Sequence, residues 1–159
     1  MEQIGRVALG VIAGLIGCSA GRDGSERVRQ GALSITRVVA PAPLTAGGTM
    51  SVYFTVTNSG SSPDTLTAIT TPVARVAMAH DQVTHGGMAQ MTMLPLVIVP
   101  AGSSVSFAPG GKHVMLEGLT RAIAPGTVVP LRLRFARAGT VAIDARVVSY
   151  DRLDAALRR

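Results

Sequence analysis

From Leu33 to Val148 the chain is punctuated by Gly, Pro or Asn-Ser-Gly signals at intervals of roughly eight to twelve residues, and the segments between them are rich in Val, Ile, Thr and Leu. Segments this short between turn residues read as strands of a sandwich or barrel. The expected strands are Leu33 to Val39, Met50 to Thr57, Leu66 to Ile69, Val73 to Ala79, Met88 to Met93, Leu96 to Val99, Val105 to Ala108, His113 to Leu116, Val129 to Phe135 and Thr140 to Val148. Pro41-Ala42-Pro43 closes the first of them. Asn58 to Asp64 is a turn cluster between the second and third. Apolar residues are 47% of the chain but aromatics only 3%, with no Trp, so the core has to be built from aliphatic side chains. At 159 residues there is room for one domain of ordinary size.

The start of the chain has a different character. One Arg at position 6 precedes an uncharged apolar run from Val7 to Gly17. A helix of that length rises only about 16 Å, half the hydrocarbon thickness, which identifies a signal-peptide core and not a membrane span. Leu15-Ile16-Gly17-Cys18 resembles the bacterial lipobox, in which lipoprotein signal peptidase cuts before a diacylated cysteine. Cys18 is the only cysteine, so it has no internal disulfide partner, and acylation gives it a role. Ordinary cleavage after Ala20 is the alternative. Residues 1–17 are then a lipoprotein signal peptide and 18–30 a polar, lipidated tether. Residues 31–149 are the domain, and 150–159 a short tail of one or two frayed helical turns. Either mode of cleavage places the domain in the periplasm or cell envelope.

The net charge of +6 comes from scattered Arg residues. No basic stripe or interleaved aromatic platform is present to grip nucleic acid, so a weak attraction to anionic membrane surfaces is the modest consequence.

All three histidines and five of the seven methionines fall between Ala74 and Gly118. His80, Met91, His113 and Met115 together supply two imidazoles and two thioethers, a set suited to Cu(I). Taken singly, each has a plainer role, the methionines as core filler and the histidines as surface polar groups. Their clustering argues for a metal site. Strand alternation puts His113 and Met115 on one face, with Lys112 and Val114 on the other. Pro109-Gly110-Gly111 bends the chain just before them and is expected to leave His113 near a sheet edge. A hairpin turning at His85-Gly86 pairs His80 with Met91, whereas one turning at Gly86-Gly87 pairs His80 with Met93. Both registers are open at this level. His85, Met88 and Met93 are candidates for auxiliary ligands but are read as turn and packing residues.

The spacing His-x10-Met-x21-His-x-Met resembles the signature of the periplasmic copper chaperones called PCu(A)C. The resemblance extends through Tyr53 to Gly60, Pro63-Asp64, Thr71 to Ala74, Val99 to Gly102, Pro109 to Gly111, Met115 to Leu119 and Val129 to Phe135, about residues 31 to 149. It implies an all-β, cupredoxin-like antiparallel β-sandwich binding Cu(I) through His80, Met91, His113 and Met115. It further implies delivery of copper to an accepting protein, the copper sites of cytochrome c oxidase or their thiol-bearing assembly factors. Members commonly carry an acidic residue shortly before the first His, where this chain has Ala77-Met78-Ala79. Some also end in a His- and Met-rich tail, absent from DRLDAALRR.

Neutral imidazole and thioether ligands hold Cu(I) without the thiolate bond that slows release, which suits a carrier. A blue-copper electron carrier needs a thiolate at the metal, and Cys18 lies outside the domain. No paired-carboxylate, Ser-His-Asp or phosphate-cradling pattern argues for an enzyme. A copper buffer without a dedicated acceptor and a metal-free envelope adhesion or structural module are the rival readings.

Overall fold

A computed structural model describes residues 27–158. The apolar run at residues 7–17, the lipobox and Cys18 lie outside the described residues. Eleven strands follow one another: β1 (Val28–Gln30), β2 (Leu33–Pro41), β3 (Met50–Asn58), β4 (Asp64–Thr70), β5 (Ala74–His85), β6 (Met88–Leu94), β7 (Val97–Val99), β8 (Ser104–Phe107), β9 (His113–Leu119), β10 (Val128–Phe135) and β11 (Gly139–Val148). A 3-10 turn (Tyr150–Arg152) and the helix α1 (Leu153–Leu157) end the described chain. Each expected strand is present, and β1 adds one inside the stretch expected to be tether. Val28 to Gln30 pair with Ile35 to Leu33 across Gly31, whose φ of 57° makes the reversal possible.

The strands run in the order β6-β5-β9-β3-β2-β11-β10-β4-β7, with β1 added to β2 and β8 to β3. Pairing is antiparallel except between β2 and β11, which run parallel from Val39↔Arg146 to Pro41↔Val148. The antiparallel expectation therefore holds with that one exception, because β11 has no short hairpin connection to β2; its hairpin partner is β10, on its other edge. β3 joins the layers. Its first residues, Met50 to Val52, pair with β9, and Phe54 to Thr57 further along the same strand pair with β8.

Binary alternation explains the core. In β10, Val129, Leu131, Leu133 and Phe135 are buried between outward Arg132 and Arg134, and in β11 Val141, Ile143, Ala145 and Val147 do the same. These residues share one apolar cluster with Val52, Phe54, Phe107, Val114 and Leu116 from the β3, β8 and β9 side, as two facing layers require. All three Phe are buried, and the rings of Phe54 and Phe107 stack with centroids 4.4 Å apart. Asp64 closes the far end. Its carboxylate accepts the backbone N–H groups of Thr65, Arg137 and Ala138 and locks the β10–β11 turn to the start of β4.

The tail, expected to fray, is docked. Leu153 is buried against Val39 and Tyr53, flanked by Val148, Ala156 and Leu157, and so covers the apolar patch that β2 and β3 present there.

Candidate copper site

Gly86 and Gly87 have φ values of 58° and 81°, the double positive φ of a two-residue type I′ turn. That turn fixes the β5–β6 register. His85 pairs with Met88, Gln82 with Met91 and His80 with Met93. Of the two registers left open by the sequence, the one turning on Gly86-Gly87 is formed. Met91 therefore sits diagonally from His80 and not across from it.

On its other edge β5 pairs with β9, His80 with His113 and Met78 with Met115. Alternation places Met78, His80 and Gln82 of β5, His113 and Met115 of β9, and Met91 and Met93 of β6 on one face of this layer. The opposite face carries Ala79, Val114 and Leu116 into the core. His80, Met91, His113 and Met115 thus share a face across three adjacent strands, although 33 residues separate the two histidines.

The expectation of an edge position for His113 is not met. β9 lies between β5 and β3, and the outermost strand of the layer is β6. Pro109-Gly110-Gly111 still bends the chain, with Ala108 N–H donating to Lys112 O and Gly111 N–H to Ala108 O. The bend turns the carbonyl of Gly111 toward both neighbours, where it accepts from Gln82 N–H at 3.2 Å and lies 3.0 Å from His113 Nδ1. A carbonyl only accepts, so Nδ1 carries the proton, and the lone pair of His113 sits on Nε2. The Gly111 carbonyl therefore fixes the tautomer and orientation of the His113 ring.

His113 is 4% exposed. Its ring centroid lies 5.7 Å from that of His80, the planes inclined by 58°. His80 Nδ1 is buried and has no hydrogen-bond partner among the described residues. A buried nitrogen lacking a partner is costly, and a metal ion between the two rings would relieve it. Met115 and Met78 are half-buried beside this pair, whereas Met91 and Met93 are 56% and 57% exposed. Nearby, Lys112 Nζ and Asp81 Oδ2 form an ion pair at 2.8 Å that leaves the site without an unbalanced charge from either. Among the described residues no three His, Cys, Asp or Glu side chains converge. Apart from the amide of Gln82, the side chains named on this face offer imidazole and thioether donors, a set that favours a soft ion.

One residue of this face, Met78, was not singled out by sequence reasoning, and Met93 was named only as a candidate auxiliary ligand. Met93, read as packing, is exposed and directly opposite His80, and Met78 is directly opposite Met115. The positive-φ turn chemistry of Gly86-Gly87 was the available signal for Met93. Met78 shows itself only through the β5–β9 pairing, which no local pattern encodes.

Known proteins resemble this chain over most of its length. The profile of the LpqE-like family, a family described as candidate lipoproteins, matches residues 33–147. The candidate lipoprotein Lxx21020 of Leifsonia xyli subsp. xyli is 28% identical over 143 residues, 89% of this chain and 86% of that protein. Among solved structures, the copper-bound PCuAC domain from PmoF2 superposes with a TM-score of 0.68 at 27% identity, covering 78% of this chain and 98% of that one. The Cu(I) form of DR1885 from Deinococcus radiodurans does so with a TM-score of 0.59 at 30% identity, covering 82% and 86%. The expected PCu(A)C-type fold is borne out.

Proposed function

Because the chain belongs to the LpqE-like family and shares its fold with PCuAC copper-binding domains, we propose that it is an extracytoplasmic Cu(I) chaperone. In this reading His80, Met91, His113 and Met115 bind the ion, and Cys18 carries a lipid anchor that holds the domain at the membrane. The observation that carries it is the facing pair of His80 and His113, with one buried nitrogen lacking a partner and Met115 and Met91 on the same sheet face. The buried imidazole of His113 and the half-buried one of His80 hold the ion, and the exposed thioether of Met91 is the ligand an incoming group displaces. Transfer is then a ligand exchange in which copper stays Cu(I), one bond to sulfur breaks as one to the acceptor forms, and no electron moves. The acceptor is a copper-accepting protein, the copper sites of cytochrome c oxidase or the thiol-bearing factors that assemble them. The protein acts as a carrier and catalyses no reaction.

A Cu(I) competition titration tests the site. One ion per chain is expected, with affinity lost when His113→Ala and Met115→Ala are combined; unchanged affinity in that double variant would refute it. Transfer to an apo oxidase copper domain separates a chaperone from a buffer, which would retain its ion. Incorporation of labelled fatty acid, abolished by Cys18→Ala, tests the anchor.

A further inference from the structure

β6 contains no buried residue; even its last member, Leu94, is only partly covered. On this strand Met91 and Met93 present their thioethers on the His80 face while more than half exposed. A methionine that serves as core filler is covered by its neighbours, and neither of these is. Two exposed methionines side by side on an outer strand add apolar surface without packing anything, so their placement calls for another role.

The register discriminates between them. Residues directly opposite in an antiparallel pair have Cβ atoms about 5 Å apart, against about 7 to 8 Å for a diagonal pair. Met93 is opposite His80, whereas Met91 is opposite Gln82 and diagonal to His80. Met93, His80 and His113 also form one straight row across β6, β5 and β9, because His80 pairs with both. Met91 lies a step out of that row, toward the β5–β6 turn. A long, unbranched thioether from either position can reach the His80 ring, but Met93 does so from the nearer position.

We propose that Met93 is a further Cu(I) donor that shares with Met91 the solvent-facing ligand position, so that copper leaves the site over the β6 edge. This rests on the Cu(I) reading of the site given above. His80, His113 and Met115 hold the ion from the covered side, and either thioether of β6 completes the set. Exchange between them breaks one Cu–S bond as the other forms, with no change of oxidation state and no proton transfer. Two interchangeable donors also keep the ion bound when an acceptor ligand displaces one of them.

The test compares the full chain with Met91→Leu, Met93→Leu and the double variant, titrated with Cu(I) against a chromogenic Cu(I) chelator. Leucine keeps the apolar volume and removes the sulfur. Each single change is expected to weaken binding by roughly threefold and the double change by at least about a hundredfold, a non-additivity that marks two groups serving one position. In parallel, the ε-methyl carbon signals of Met91 and Met93 are followed by NMR, since Cu(I) is diamagnetic; both are expected to shift together during the titration. If Met91→Leu alone loses as much affinity as the double variant, or only the Met91 methyl shifts, the proposal is overturned while the copper site stands. If the unaltered chain binds no Cu(I), or binding survives His113→Ala with Met115→Ala, the copper reading falls and this inference with it.

Discussion

Replacing Asp64 with Asn should destabilise the domain by about 3 kcal/mol at neutral pH and by much less in acid. Asp64 is 5% exposed and accepts three backbone N–H groups: Thr65 and Arg137 at 2.8 Å on Oδ1, and Ala138 at 2.9 Å on Oδ2. Burial by itself pushes this carboxyl up; the bonds from Arg137, Ala138 and Thr65, together with the positive charge of Arg137, outweigh it and leave the group below the usual carboxylate range. In the Asn variant one oxygen remains, now neutral. The amide NH2 then faces one of the backbone donors and leaves it unpaired, at a cost of about 1 to 3 kcal/mol. The two retained bonds lose their charge assistance, about 1 kcal/mol each, which brings the sum to about 3 kcal/mol or somewhat above. For a domain of this size that corresponds to a fall in Tm of roughly 10 °C.

The pH dependence is a separate check. A group whose pKa is lowered by folding stabilises fully above its unfolded value of 3.8 and loses that contribution as pH falls through the folded value. The difference between parent and variant in urea unfolding should therefore be constant from about pH 7 to 5 and shrink steadily below about pH 4. A difference under about 1 kcal/mol at pH 7, or one equally large at pH 3, would refute the account of Asp64 as a charged lock on the β10–β11 turn.

Three further outcomes follow from the same contacts. Phe107→Ala removes a fully buried ring stacked on Phe54 and should cost about 3 to 5 kcal/mol in chemical unfolding. Leu153→Ala should cost about 2 kcal/mol, at the low end for a buried Leu because the patch on Val39 and Tyr53 borders solvent, and should raise amide exchange in α1 alone. Asp81→Asn breaks the ion pair with Lys112, whose side chain is 37% exposed, so stability should change by less than about 1 kcal/mol even in low salt.

Much of this protein is determined locally. Gly, Pro and Asn-Ser-Gly positions delimit the strands, because they supply the positive or fixed φ and local hydrogen bonds that turns need, and alternating Val, Leu and Ile mark the buried faces of β10 and β11. The joint orientation of His113 and Met115 follows from the two-residue period of a strand, and the Gly86-Gly87 turn restricts β5–β6 to very few registers. Such features depend on neighbours a few residues apart, so a linear reading reaches them. What the tertiary structure decided is which strands that are distant in sequence lie side by side. The pairing of β5 with β9 sets His80 against His113 and Met78 against Met115, and moves His113 from the expected edge to the interior of the layer. Docking of Leu153, pairing of β1 with β2 and the hold of Asp64 on Arg137 and Ala138 belong to the same class. Each is settled by which apolar faces can be buried together and which buried polar groups can be satisfied. Those are properties of the whole packed chain, and no segment of it carries them alone.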